Sequence, residues 1–259
     1  MNVAVIDFET TGVDHKICRP IEVSVTITNN NFSEELTKYS ALMLDDSYPA
    51  ITEEIEKLTG ISQNILVSLG KNPASVFAVV VSLLKQFNVG HILAYNCEFD
   101  KNVCHEEIKR HPLFAESLSP LVNAKWLCAM RDVKKNYQYR CWKLSHLALD
   151  CGVTIDPTKL HRAAADVDLT IKMLKAQDTN VSEILTYNQT PWIPLEAVTR
   201  EPWKDGGVST KKAKDKGFRW ETPQGFETKY LKRWVTMKKE TECREFIDSC
   251  PELTIRRIV

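Results

Sequence analysis

The stretch "VIDFETTG" (5–12) sets two carboxylates, Asp7 and Glu9, two positions apart behind an apolar run. On a strand, residues i and i+2 share a face, so the two acids project together. Like charges that close raise each other's pKa unless a cation or hydrogen-bond donors neutralise them, and hard carboxylate oxygens are the ligands that Mg²⁺ or Mn²⁺ prefers. On this pair alone, a solvated strand end beside a Thr-Thr-Gly turn is the simpler reading. Two further segments carry acids of the same kind. "HILAYNCEFD" (91–100) delivers Asp100 to a strand-to-helix junction, the edge where open α/β sheets carry ligands. "HRAAADVDLT" (161–170) sets Asp166 near the start of a helix whose apolar face holds Val167, Ile171 and Leu174, with His161 five residues upstream. Five helical residues turn through roughly 500°, about 140° away from a shared face, so His161 reaches the site of Asp166 only from a preceding loop. Leu160-His161-Arg162, after the Asp156-Pro157 turn, supplies one.

The elements that must position these groups follow from periodicity. Asn2 to Ile6 is a continuous apolar run, and residues 21–27 alternate apolar with polar, so both read as strands. Tyr39 to Leu44 reads as a third, and short polar connections such as Asn29-Asn30-Asn31 fit an antiparallel meander. Pro73 opens a helix to about Phe87, Val89 to Tyr95 is a strand, and Phe99 to about Arg110 is a helix ended by Pro112. Residues 123–130 read as a fifth strand, and 143–149 and 164–176 as helices. An antiparallel start followed by parallel α/β units predicts one mixed sheet covered by helices.

The 259 residues allow one domain plus an appendage, and 43% apolar with 26% charged residues excludes wholesale disorder. The longest apolar run, 76–81, falls far short of the roughly 20 residues of a membrane span. Met1 leads straight into a strand without a signal-like segment, so the expected location is cytoplasmic, with no membrane partner. The eight cysteines form no Cys-x-x-Cys pair and read as reduced, packed thiols. Net charge is zero, yet residues 200–239 hold twelve Lys or Arg against five Asp or Glu, a balance of +7. The polar, turn-rich segment 179–192, with Pro191 in it, predicts a linker between residues 1–178 and a small module at 193–259, within which "STKKAKDKG" (209–217) reads as a mobile loop.

Taken in order, Asp-x-Glu-Thr-Thr-Gly (7–12), Asn-x-x-Phe-Asp (96–100) and His-x4-Asp (161–166) resemble the three motifs of the DEDDh (DnaQ-like) 3'-5' exonucleases over about residues 1–177. "LTGIS" (58–62), "KWLCAMRDVKK" (125–135) and "WKLSHLALDCGV" (142–153) stand where such proteins carry comparable sequences, and the form of the third motif is similar to the exonuclease X branch. The resemblance implies a ribonuclease H-like α/β fold, a mixed five-stranded sheet of order 3-2-1-4-5 flanked by helices. It implies two cations per site, Mg²⁺ or Mn²⁺, with Asp7 bridging both, Glu9 and Asp166 completing the first site and Asp100 holding the second. His161 would be general base on the attacking water, a task suited to imidazole, and the product a nucleoside 5'-monophosphate.

The resemblance also implies that Phe8, Thr10 and Thr11 touch the terminal nucleotide through backbone and hydroxyl groups, that Leu58 and Ile61 pack against its base or else fill the core, and that Asn96 orients the backbone near Asp100. Thr59 stands where many relatives have His. The expected partner is the 3' end of DNA, single-stranded first and double-stranded second. The motifs do not distinguish deoxyribose from ribose, so an exoribonuclease of RNase T or oligoribonuclease type stays open, as does an inactive nucleic-acid-binding adaptor. In the basic segment, Lys214, Lys216 and Arg219 interleave with Trp220, Tyr230 and Trp234, the combination that tracks phosphates and stacks bases; a mini-core of the same aromatics is the alternative.

Overall fold

The computed structural model describes residues 2–112, 115–134, 142–200, 202–221 and 233–258. It divides into two compact units, Met1–Leu185 and Thr186–Val259. The first opens with the meander β1 (Asn2–Thr10), β2 (Pro20–Thr28) and β3 (Glu35–Leu42). Short helices α1 (Glu53–Thr59) and α2 (Gln63–Leu69) follow, then α3 (Pro73–Gln86), β4 (Val89–Ala94), α4 (Cys97–Arg110), α5 (Ala115–Asn123), β5 (Lys125–Cys128), α6 (Leu144–Asp150) and α7 (Ala163–Ala176). The sheet runs β3-β2-β1-β4-β5, antiparallel through the meander and parallel from β1 to β4 and β5, the mixed order expected.

The sheet has a core on each face. Ala4, Ile6 and Phe8 of β1 join Val23, Val25 and Ile27 against Val76, Phe77, Val80, Val81 and Leu84 of α3 and Val103, Cys104 and Ile108 of α4. Val3 and Val5 face the other way, toward Val167, Ile171 and Leu174 of α7. Every residue of β2 is buried, the polar ones included. Its polar row, Glu22, Ser24 and Thr26, is covered instead of solvated, and the Ser24 hydroxyl accepts from that of Ser40 of β3 at 2.8 Å.

Several expectations need correction. Residues 53–59, 63–69 and 115–123 are helices that periodicity did not reveal, because each spans only seven to nine residues. Local capping marks two of them: the Thr52 and Ser62 hydroxyls accept from Ile55 and Ile65 N–H groups. The strand expected at 123–130 is confined to Lys125–Cys128. The segment expected as a linker, 179–192, is largely helix α8 (Val181–Gln189). Asn180 and Glu183 form a reciprocal capping box at its start, at 3.0 and 3.3 Å, and Val181 and Ile184 pack into the α7-side core. The division at Leu185/Thr186 therefore falls inside a helix.

The second unit has its own sheet, β7-β8-β6-β9, built from β6 (Trp192–Val198), β7 (Arg219–Glu221), β8 (Arg233–Lys239) and β9 (Thr254–Arg257), all pairs antiparallel. Helices α9 (Pro202–Asp205), α10 (Val208–Asp215) and α11 (Cys243–Asp248) complete it. Its core joins Leu195, Ala197, Ala213, Phe218, Cys243, Phe246 and Cys250. The stretch expected as a mobile loop is mostly α10, because Ala213 is buried in that core and the Asp205 carboxylate accepts the N–H groups of Gly207 and Ser209 at 2.9 and 3.1 Å. Among the described residues no helix is long and apolar enough to cross a membrane, and the cysteines at 18, 97, 104, 128, 243 and 250 are free thiols.

Candidate active site

The alternation that sends Val3 and Val5 toward α7 continues along β1, so Asp7 and Glu9 point to the same side. The β1–β4 pairing runs only to Val5 opposite Leu93. Asp7 and Glu9 thus lie beyond it, at the edge where β4 has ended and α4 begins. Burial of Val167, Ile171 and Leu174 fixes the rotation of α7 and turns Asp166, in its first turn, to that edge. One oxygen from each of Asp7, Glu9 and Asp166 lies within 4.8 Å of the others. Oxygens gathered this closely need only small side-chain rotations to meet at one hard cation, so three half-buried donors fit one divalent ion.

Asp100 sits in the first turn of α4, 3% exposed, where its own backbone N–H and that of Phe8 favour its charged form. It is not one of the three grouped donors, but its charge reaches Asp7. Without a cation the cluster resists ionisation. Burial, then the charges of Asp100, Asp166, Glu9 and Glu22, push Asp7 well above the carboxylate range. Burial with Asp166 and Glu22 raises Glu9 to about 8, against the opposing pull of Arg162. Burial raises Asp100 to about 8 despite its two backbone donors, and Asp166 to about 6 despite His161.

His161 lies in the connection before α7, as its spacing required, exposed and with φ of 60°. A histidine in the left-handed region is an uncommon, costly conformation. Its charge opposes the burial-driven rise of the Asp166 pKa, so the two functional residues lie within electrostatic reach of each other.

The remaining sequence-derived positions divide. The Phe8 ring is 5% exposed, with its centroid 6.0 Å from that of Phe77, so the α3-side core takes the side chain. The β1 alternation turns the ring of position 8 away from the Asp7–Glu9 side, which leaves its backbone, the group the resemblance implies, for any contact with a nucleotide. Thr10 donates its hydroxyl to the Gly12 carbonyl, and the Thr11 hydroxyl accepts from Arg19 N–H at 2.9 Å. Ile61 is 1% exposed in a small core with Ile21 and Leu66, which leaves no surface for a base, whereas Leu58 is 48% exposed. Thr59 is buried and bonds the Ile55 carbonyl. Asn96 precedes α4, exposed, and makes no side-chain cap bond. Asp168 pairs with Lys38 at 2.8 Å, away from the cluster.

In the second unit Lys214 and Arg219 are exposed, and Lys216 pairs with Glu252 at 3.5 Å. Trp220 is 54% exposed and packs its ring 5.8 Å from Trp234, which itself leans on the unit's core. Tyr230 lies outside the described residues.

Sequence reasoning missed Glu22 and Arg162. Glu22 faces Glu9 across the β1–β2 ladder, and its carboxylate is gripped by Arg162 at 2.7 and 3.1 Å. Arg162 stands beside His161 in the third motif; Glu22 becomes visible only with the register of two strands.

Comparison with known proteins agrees with this geometry. The chain resembles E. coli exonuclease I bound to a dA16 oligonucleotide (17% identity, TM-score 0.60) and the zinc-bound exonuclease I–ssDNA complex (17%, 0.59), each match covering 98% of this chain and 68% of the other. A further exonuclease I structure, described with a proposal for how processivity is achieved, is 21% identical with TM-score 0.55 over 76% of this chain and 48% of that one. This chain therefore spans about half to two thirds of those proteins. At such identities the likeness shows the fold. No curated protein matches this sequence. The RNase_T model, described as an exonuclease, matches residues 4–174. That is most of the chain and includes all five residues of the three motifs, so this protein belongs to the exonuclease family.

Proposed function

We propose that the chain removes nucleotides from DNA 3' ends, releasing nucleoside 5'-monophosphates, with two Mg²⁺ or Mn²⁺ ions per site. The observation that carries this reading is the meeting of Asp7, Glu9 and Asp166 within 4.8 Å at the sheet edge, beside His161. These three would hold one ion, and Asp100, close enough to raise the pKa of Asp7, would serve the second. The ions supply Lewis acidity, lowering the pKa of the attacking water and offsetting charge on the leaving oxygen. His161 takes the proton of that water on its imidazole, beside the Asp166 carboxylate. Single-stranded DNA is the first substrate to test, since the similar exonuclease I structures are complexes with dA16, dT13 and ssDNA. The Thr10–Gly12 turn and exposed Leu58 border the path of the terminal nucleotide in this reading. Residues 193–259 act as an accessory DNA-binding module.

The deciding experiment digests 3'- and 5'-labelled single- and double-stranded DNA and RNA, with Mg²⁺, Mn²⁺ or chelator. The expected result is chelator-sensitive shortening of DNA from the 3' end. Asp7→Ala and Asp166→Ala should abolish it. Wild-type turnover by either variant, or 5'-end shortening, refutes the reading, and preferential digestion of RNA moves the substrate to ribose.

A further inference from the structure

A buried carboxylate faces the site yet is closed to any cation. Glu22 is 4% exposed and lies opposite Glu9 in the β1–β2 register. Its Oε2 accepts Arg162 Nε at 3.1 Å and the backbone N–H of Ala163 at 3.0 Å, and its Oε1 accepts Arg162 Nη2 at 2.7 Å. Three donors, one of them a two-pronged guanidinium, occupy both oxygens in the geometry of a strong charged pair. The acid is thereby held as a structural anion and kept out of the Asp7–Glu9–Asp166 group.

The position of these donors in the chain matters more than their number. Arg162 and Ala163 lie between His161 and Asp166, the two functional residues of the third motif. Arg162 is the residue before α7 and its side chain makes no cap bond to that helix, so Glu22 caps α7 from a neighbouring strand by taking the Ala163 N–H. The first turn then closes on the Arg162 carbonyl, which accepts from Ala165 at 2.8 Å and from Asp166 at 3.0 Å. Just before the gripped pair, His161 is held in a left-handed conformation that a free loop would relax. A single buried acid on β2 thus fixes the segment that carries both groups.

Resting on the function proposed above, we infer that Glu22 and Arg162 form a positioning clamp, touching no cation themselves, that sets Asp166 and the His161 backbone against Asp7 and Glu9. Arg162 also offsets the charge of Glu22, which would otherwise press on Glu9 unopposed.

The test compares full-length wild type with Glu22→Gln and Arg162→Lys, after circular dichroism confirms folding. Glu22→Gln keeps the shape and places an amide against the Arg162 donors; Arg162→Lys keeps the charge at a half-exposed position but loses the fork. Mn²⁺ affinity by titration calorimetry and steady-state hydrolysis of 3'-labelled single-stranded DNA at saturating Mn²⁺ are both read. The clamp predicts Mn²⁺ binding weakened about 10–100-fold in each variant, and a similar fall in kcat with KM for DNA held within about twofold. If Glu22→Gln does not fold, Arg162→Lys decides. Folded variants with wild-type Mn²⁺ affinity overturn the clamp and leave the exonuclease reading intact. A wild type that binds Mn²⁺ but degrades neither DNA nor RNA defeats the proposed function, and the Mn²⁺ comparison still decides the clamp. A wild type that binds no Mn²⁺ overturns both.

Discussion

The carboxylates of the site repel one another, and that repulsion has a pH signature. Glu9 and Asp100 titrate at about 8 and Asp166 at about 6, all above the range of an unfolded carboxyl. Between the unfolded values near 4 and these raised values, the folded chain binds more protons than the unfolded chain, so stability falls as pH rises through that window. A bound cation holds the same groups ionised and removes the penalty. The melting temperature in chelator should therefore drop from pH 5.5 to pH 8, and Mn²⁺ should raise it more at pH 8 than at pH 5.5. Equal gains at the two pH values would count against a cation held by these acids. His161 allows a second test, because its left-handed backbone suits glycine better than histidine. His161→Gly should lose hydrolysis while relieving about 1 kcal/mol of strain, leaving thermal stability equal or higher. A fall in melting temperature would instead mark His161 as a packing residue.

At the level of elements, capping chemistry explains what periodicity could not. The long or fully apolar elements β1, β2, α3, β4, α4 and α7 were legible because each carries several buried residues in register with its period. The short helices α1, α2, α5 and α8 each bury only one or two residues, too few to set a period, but Thr52, Ser62 and Asn180 stood in the sequence as start signals for three of them. The candidate site divides in the same way. Its five principal residues sit in compact motifs, whereas Glu22 acquires meaning only when Glu9 is found across the ladder. The α8 cap can be measured: Asn180→Ala removes an acceptor from the Glu183 N–H and should cost about 1 kcal/mol, read as a lower urea midpoint, with Mn²⁺ affinity unchanged. An unchanged midpoint would mean that packing of Val181 and Ile184 alone sets the start of the helix.

For the whole molecule, the contrast in charge and architecture between the two units suggests a division of labour. The first unit holds every residue of the proposed chemistry, Asp7 through Asp166, and the second has a separate sheet and core with a basic surrounding segment. Lysines and arginines that contact phosphates release counterions, so each contact steepens the salt dependence of binding by about 0.7 for single strands. Exposed Lys214, Arg219 and Trp220 offer such contacts plus one stacking face. A chain ending at residue 189 keeps the first unit with all of α8, so its cation site should survive. It should hydrolyse short single-stranded oligonucleotides at a rate near that of the full chain. On long strands it should bind more weakly at low salt, with the log–log salt slope reduced by roughly 1 to 2. Fluorescence anisotropy with a labelled oligonucleotide across a salt series measures that slope. An identical slope and affinity for the two chains would assign the basic segment to the solvation of its own small fold and return all DNA contact to the first unit.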